Sequence, residues 1–286
     1  MEFCEVFHFF IILKDSIKLL AKNWKFMASI TILSLLLPSI LIFLFRYPFQ
    51  SLLDNITSYR SLWALLAIEI VFLLAYLALS HLSAIATILV SSKSYSGKNL
   101  SLQDLFSDIK RTWRCTLSTG FRLKNYSYFI GVASALLVIL YPNRFTICIA
   151  IFVWIVILVY QLYLSVVWVL SFVVSIVEEG YQGKEALEKA EKLVKGQRLH
   201  GFMLNLFFNL LVLISFPAYW ITFADKGFVN TILFFVNFSS LVRIFVSMAY
   251  TVFYFQCKKH HGEEVEILGD FNYTKLPAAS LGSDIP

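Results

Sequence analysis

Six apolar stretches, over about residues 27–45, 63–90, 126–141, 146–177, 201–223 and 228–256, limit this chain to very few folds. A helix needs about 20 apolar residues to cross a hydrocarbon core of about 30 Å. The stretch over 63–90 meets that requirement with one carboxylate, Glu69, and one histidine, His81, while the stretch over 146–177 carries no charge. One such segment fits a buried helix of a soluble protein; five or six in a row do not. The composition agrees, at 59% apolar and 15% charged residues, far from the balance of an average globular domain. The expectation is an all-α fold: a polytopic helical membrane protein with six transmembrane helices and three cytoplasmic elbow or interfacial helices.

Topology follows from where the cations fall. Lys14, Lys18, Lys22 and Lys25 precede the first span, and seven Lys and Arg residues lie between the second and third. Five more lie between the fourth and fifth, and Lys258, Lys259 and Lys275 follow the sixth. The opposite side receives Arg46, Arg60, Arg144 and Lys226, a 19-to-4 bias with Arg243 inside the last span. Under the positive-inside rule both termini are then cytoplasmic. The net charge of +6 is accounted for by this bias and by acidic lipid at the inner leaflet, without nucleic acid.

The start, Met1-Glu2-Phe3-Cys4-Glu5, lacks the basic region and small-residue site of a cleavable signal, so the first span is expected to be an uncleaved anchor. The four cysteines, Cys4, Cys115, Cys148 and Cys257, form no CxxC pair and are expected to be free thiols, with acylation open at Cys4 and Cys257 near membrane boundaries. The membrane domain is expected over 1–260, and the acidic run of Glu263, Glu264 and Glu266 opens a disordered tail over 261–286. The sequon Asn55-Ile56-Thr57 falls in an expected outer loop.

A helical pattern precedes each odd-numbered span. Leu13, Ile17, Leu20 and Trp24 share a face beside the first lysine stripe. Ser101 and Asp104 resemble a capping box, after which Leu102, Leu105, Phe106, Ile109, Trp113 and Leu117 hold one face edged by Lys110, Arg111 and Arg114. Cations beside a Trp-bearing apolar face suit an interfacial helix, so Lys110, Arg111, Trp113 and Arg114 are candidate contacts to acidic lipid. In the third helix, over 184–195, Glu185, Glu188 and Glu191 each precede a lysine by four residues, the favourable order for helix ion pairs. Its narrow apolar face of Ala186, Leu187, Ala190, Leu193 and Val194 suits packing on this protein or on a partner, and Gly196 is its expected stop. Together these give a unit of helix, span, short outer loop and span, repeated three times.

Glu69 and Arg243 form the candidate intramembrane polar site, because leaving a charge in lipid costs at least about 2.5 kcal/mol. Counted from the outer ends of their spans they differ in depth by about 12 Å at 1.5 Å per residue. Two readings stand: a shared polar site, or Glu69 reaching the outer interface while Arg243 is satisfied by backbone carbonyls near Ser239-Ser240. Gln161, Ser165, Ser171, Ser175, Asn205 and Asn209 are expected to join helices, and His81 to be a hydrogen-bonded packing residue. The sequence holds no GxSxG elbow, phosphate-binding glycine loop, HExxH or paired acidic motif on a span. No catalytic, cofactor or metal residues are expected.

Two blocks carry a resemblance. Leu13-Lys14-Asp15-Ser16-Ile17-Lys18-Leu19-Leu20 leading to Leu36-Leu37-Pro38 is the first. The second is Val174-Ser175-Ile176-Val177-Glu178-Glu179-Gly180 with Ala186-Leu187-Glu188-Lys189-Ala190 and Leu193-Val194-Lys195-Gly196. Both resemble a family of uncharacterised multi-span proteins known mainly from plants. The second is also similar to the membrane domain of some bacterial glycerophosphodiester phosphodiesterases, with Ala190 where Ser is usual. The resemblance implies a membrane fold and no activity, since the phosphodiesterase chemistry belongs to a separate soluble domain. The expected function is a non-enzymatic scaffold or regulator of an endomembrane, in the ER or plasma membrane. It would have a possible protein partner at helix 184–195 or the tail. The competing expectation is a transporter or channel-like protein using Glu69 and Arg243.

Overall fold

A computed structural model describes residues 8–54, 59–97, 101–123, 144–178, 180–223 and 228–263. Among them the chain forms eight helices and no strand: α1 (His8–Lys22), α2 (Trp24–Asp54), α3 (Tyr59–Tyr95), α4 (Leu102–Leu123), α5 (Arg144–Val177), α6 (Lys184–Val194), α7 (Arg198–Phe223) and α8 (Phe228–His260). Five of these, α2, α3, α5, α7 and α8, are long and apolar enough to cross a membrane, and the chain is an integral membrane protein. They contain the expected spans 27–45, 63–90, 146–177, 201–223 and 228–256. The expected span 126–141, Cys4, the sequon and the tail beyond 263 lie outside the described residues.

The helices are longer than a bilayer requires, and the excess decides where the core sits. α3, α5 and α8 have 37, 34 and 33 residues, about 50–55 Å at 1.5 Å per residue. In α3 every residue over 84–92 is buried, and in α8 every residue over 247–255. In α5 the buried positions include Leu170, Val173, Val174 and Ile176. These C-terminal portions pack together with Ile12 and Leu19 of α1, Leu105 of α4 and Ala186, Ala190, Leu193 and Val194 of α6. The result is one packed head at a single end of the bundle.

Much of the remaining length is exposed and apolar, for instance Leu36, Ile40 and Phe43 of α2, Ile70 and Leu74 of α3, and Phe152 and Ile155 of α5. Such a surface is unfavourable in water and at ease in lipid tails, which are as apolar as leucine. Exposed aromatic residues mark its far end: Tyr47, Trp63, Phe145 and Trp220. Trp24, Tyr163 and the start of α7 mark its near end, about 27–35 Å away along their helices. Aromatic girdles of this kind sit at membrane–water interfaces.

Local devices hold the head together. Asn23, between α1 and α2, donates its side-chain amide to the Ser94 hydroxyl at the end of α3. Lys93 pairs with Asp108 of α4 at 2.7 Å, and Tyr95 stacks on Phe255 with ring centroids 4.4 Å apart. Asn205 of α7 donates to the Leu162 carbonyl at 3.1 Å and to the Ser165 hydroxyl, joining α7 to α5 as its polarity predicts. Asn209 instead bonds within its own helix, to the Asn205 carbonyl at 2.8 Å. His81 packs on the Phe172 ring. Cys257 is fully buried, which removes it as an acylation position.

Gly201 allows the closest crossing. A Cβ there would lie nearer than 3.0 Å to the Val166 side chain and 3.1 Å from the Phe253 ring. Because Val166 is β-branched and stiff, Gly201→Ala is expected to cost about 1–3 kcal/mol by overpacking. A lower unfolding temperature of the detergent-purified protein is the readout. Asn209→Ala, which removes a bond made within a single helix, serves as a control with a smaller effect.

Candidate functional site

Glu178 is the most heavily engaged charge among the described residues. It stands one residue past α5, where the chain turns back through Gly180 and Gly183, both at positive φ, to start α6. The tight reversal brings Lys189 of α6 onto Glu178 Oε2. From α8, Lys258 Nζ lies 3.1 Å from Oε1, and the Tyr254 hydroxyl donates to the same oxygen. Lys258 also reaches Glu263 at 3.3 Å, and Lys189 lies 4.3 Å from the centre of the Tyr181 ring. One carboxylate thus ties three helices.

Burial alone would raise the Glu178 pKa, but the hydrogen bonds from Lys189, Tyr254 and Lys258 and the Lys258 charge outweigh it and hold it below 4.5. Desolvation likewise pulls Lys189 down, and its hydrogen bond and attraction to Glu178 carry it above 10.5. A carboxylate so stabilised is a weak base near neutral pH. Its arrangement suits a clamp.

The clamp overrides the ion pairs expected along α6. Lys189 pairs with Glu178 rather than Glu185. Lys184 lies 3.7 Å from Glu188, and Glu191 lies 3.3 Å from Arg198. The half-buried tertiary carboxylate offers a lower dielectric than a helix surface, so it wins the lysine. Gly196 does end the helix, at φ 94°. A cleft of about 440 Å³ beside the clamp is lined by Tyr181, Glu185, Lys192, His261 and Glu263, among others.

Glu69 and Arg243 are not brought together. Glu69 is exposed on the apolar length of α3, about 9 Å below Trp63. Arg243 lies 5.7 Å from the centre of the Tyr76 ring, two turns further along α3. None of the described residues gives Arg243 a hydrogen bond or ion pair, so the backbone carbonyls near Ser239-Ser240 do not satisfy it. Ser240 itself donates to the Val236 carbonyl at 2.8 Å. Arg243 instead borders a cavity of about 180 Å³ between α2, α3, α4 and α8.

On α4, Lys110 and Arg111 are exposed and Trp113 is half-buried. Arg111 lies 3.7 Å from Asp108, while the Arg114 side chain lies outside the described residues. Leu105 faces the core, and Leu102 and Phe106 remain exposed. Among the described residues no group of three or more His, Cys, Asp and Glu converges as metal ligands would.

The periodicity of α6 pointed to Lys189 for the wrong partner, and Glu178 appeared only inside the resemblance block. Glu178, Ala186, Lys189, Ala190, Leu193, Val194 and Gly196 of that block all serve the clamp or its packing.

Glu178→Gln is expected to destabilise by about 1–3 kcal/mol, between an exposed pair and a fully buried one. Stability from Glu178 is present above pH 4.5 and lost as pH falls through its lower folded value. That from Lys189 is present below pH 10.5 and lost as pH rises through its higher folded value. Thermal unfolding against pH should therefore show an acid limb that Glu178→Gln flattens.

No curated protein and no solved structure matches the chain. A family model does, over residues 48–269, a region that holds the clamp, Arg243 and most of the packed head. On that match, the chain belongs to the family described as Domain of unknown function (DUF8558).

Proposed function

We propose that this protein is a non-enzymatic scaffold or regulator of an endomembrane, presenting a rigid cytoplasmic head on six membrane spans. The observation that carries the reading is the concentration of the core at one end, most of it beyond the near aromatic girdle. A bilayer over the exposed apolar lengths, from Tyr47, Trp63, Phe145 and Trp220 to Trp24 and Tyr163, leaves that head in water. The 19-to-4 cation bias puts the head and both termini in the cytoplasm. The ER and the plasma membrane both fit that orientation.

In this placement α4 lies at the leaflet surface. Its Lys110, Arg111, Trp113 and Arg114 meet acidic lipid, and the charged outer face of α6 or the tail is left for a protein partner. The likeness to the plant multi-span family and to the bacterial membrane domain supports the same reading. The second block behind that likeness supplies the Glu178 clamp and the packing of α6.

A second reading, a transporter using Glu69 and Arg243, is favoured by the cavity at Arg243. The separation of the two charges speaks against their acting as one site. Under the transporter reading Glu69→Gln abolishes solute flux while leaving folding intact.

Two experiments test the scaffold reading. An epitope at either terminus is expected to be reached by antibody only after the membrane bounding the cytoplasm is permeabilised. Lys110→Glu with Arg111→Glu is expected to change membrane shape or partner recruitment without lowering the unfolding temperature. Unchanged morphology and unchanged co-purifying partners would refute the role assigned to α4.

A further inference from the structure

Arg243 is a guanidinium within an apolar span that has no anion among the described residues. We propose that the cavity it borders binds the headgroup phosphate of an acidic phospholipid, entering sideways from the leaflet next to the packed head. The inference rests on the bilayer placement above and is independent of the scaffold role.

Charge and hydrogen-bonding capacity select the ligand. Among the described residues Arg243 is the sole charged one lining the cavity, whose walls include Leu33, Leu37, Leu79 and Ile109. Three of the lining serines have committed their protons to helix backbones: Ser34 to the Thr31 carbonyl at 2.9 Å, Ser80 to Leu77 at 3.0 Å, and Ser240 to Val236 at 2.8 Å. Arg243 is left with up to five N–H donors in a planar fork, the geometry that takes phosphate bidentately. A cation would be repelled, and a neutral polyol, though its hydroxyls can accept from the fork, would leave the charge uncompensated. The Tyr76 ring at 5.7 Å steadies the cation without supplying an acceptor.

Depth and size point to a lipid. Arg243 lies 15 residues into α8, about 22 Å from its start at Phe228. In a hydrocarbon core of about 30 Å that leaves a gap to the near interface of about 8 Å, which a long arginine side chain spans by snorkelling. The volume of about 180 Å³ falls below the roughly 300–1,000 Å³ of sites for whole small molecules. It suits one portion of an amphiphile whose tails stay in the bilayer, and the leucine walls match the apolar stem beneath a headgroup.

The test uses the full chain in nanodiscs of phosphatidylcholine alone or with phosphatidylserine, read by thermal unfolding and by lipid retained in native mass spectrometry. Phosphatidylserine should raise the unfolding temperature of the wild type and remain bound. Arg243→Gln should weaken that retention by about tenfold or more, the equivalent of about 1.4 kcal/mol. Leu37→Trp, which fills the cavity and keeps the charge, should do the same and decides the matter if Arg243→Gln does not fold. Asn209→Ala, on α7 and not part of the cavity lining, should leave the retention intact. A wild type indifferent to phosphatidylserine, or cavity variants that retain it fully, overturns the proposal. So does inorganic phosphate giving the same stabilisation in phosphatidylcholine discs, or loss of retention in Asn209→Ala alone.

Discussion

The mismatch between helix length and bilayer thickness organises this protein. Helices of about 50–55 Å cannot be contained in a hydrocarbon core of about 30 Å, so their ends must find another environment. In lipid, apolar side chains gain little by leaving one solvent for another, and helices can stay loosely packed. In water the same side chains are driven together at about 25 cal/mol per Å² of buried apolar surface. The distribution of burial follows that difference. Residues over 63–83 of α3 include exposed Leu66, Ile70, Leu73, Leu74 and Leu77, whereas those over 84–92 are all buried.

Once the ends form a core, the connecting segments acquire their roles. α1, α4 and α6 each contribute buried residues to the head, Ile12 and Leu19, Leu105, and Ala186 and Ala190 among them. The Glu178 clamp locks α6 against α5 and α8 where the chain reverses. Desolvating three charges is costly, and the cost is offset only because both lysines and the tyrosine converge on one carboxylate. The small residues Ala186 and Ala190 let α6 lie close enough for Lys189 to reach it.

The two intramembrane charges illustrate how unequal such residues are. Glu69 faces the apolar exterior, about 9 Å from the Trp63 level. Arg243 lies toward the opposite interface, half-enclosed and set beside an aromatic face and a cavity. An uncompensated cation in that position is expensive, which is why its surroundings rather than its mere presence carry the functional inference.

The sequence alone determined the all-helical class, the positions of five described membrane-length helices, the end of α6 at Gly196, and the depth separation of Glu69 from Arg243. These follow from local rules: apolar run length, glycine at positive φ and a fixed rise per residue. Tertiary structure alone decided which halves of those helices are buried, since hydropathy is high on both sides of residue 84 and cannot tell lipid from protein interior. It also decided that Lys189 leaves its helical neighbour for Glu178, that Cys257 is sealed in the core, and that Arg243 faces a cavity. Each of these depends on residues far apart in the chain arriving at one place, and no periodicity along a single helix encodes that meeting.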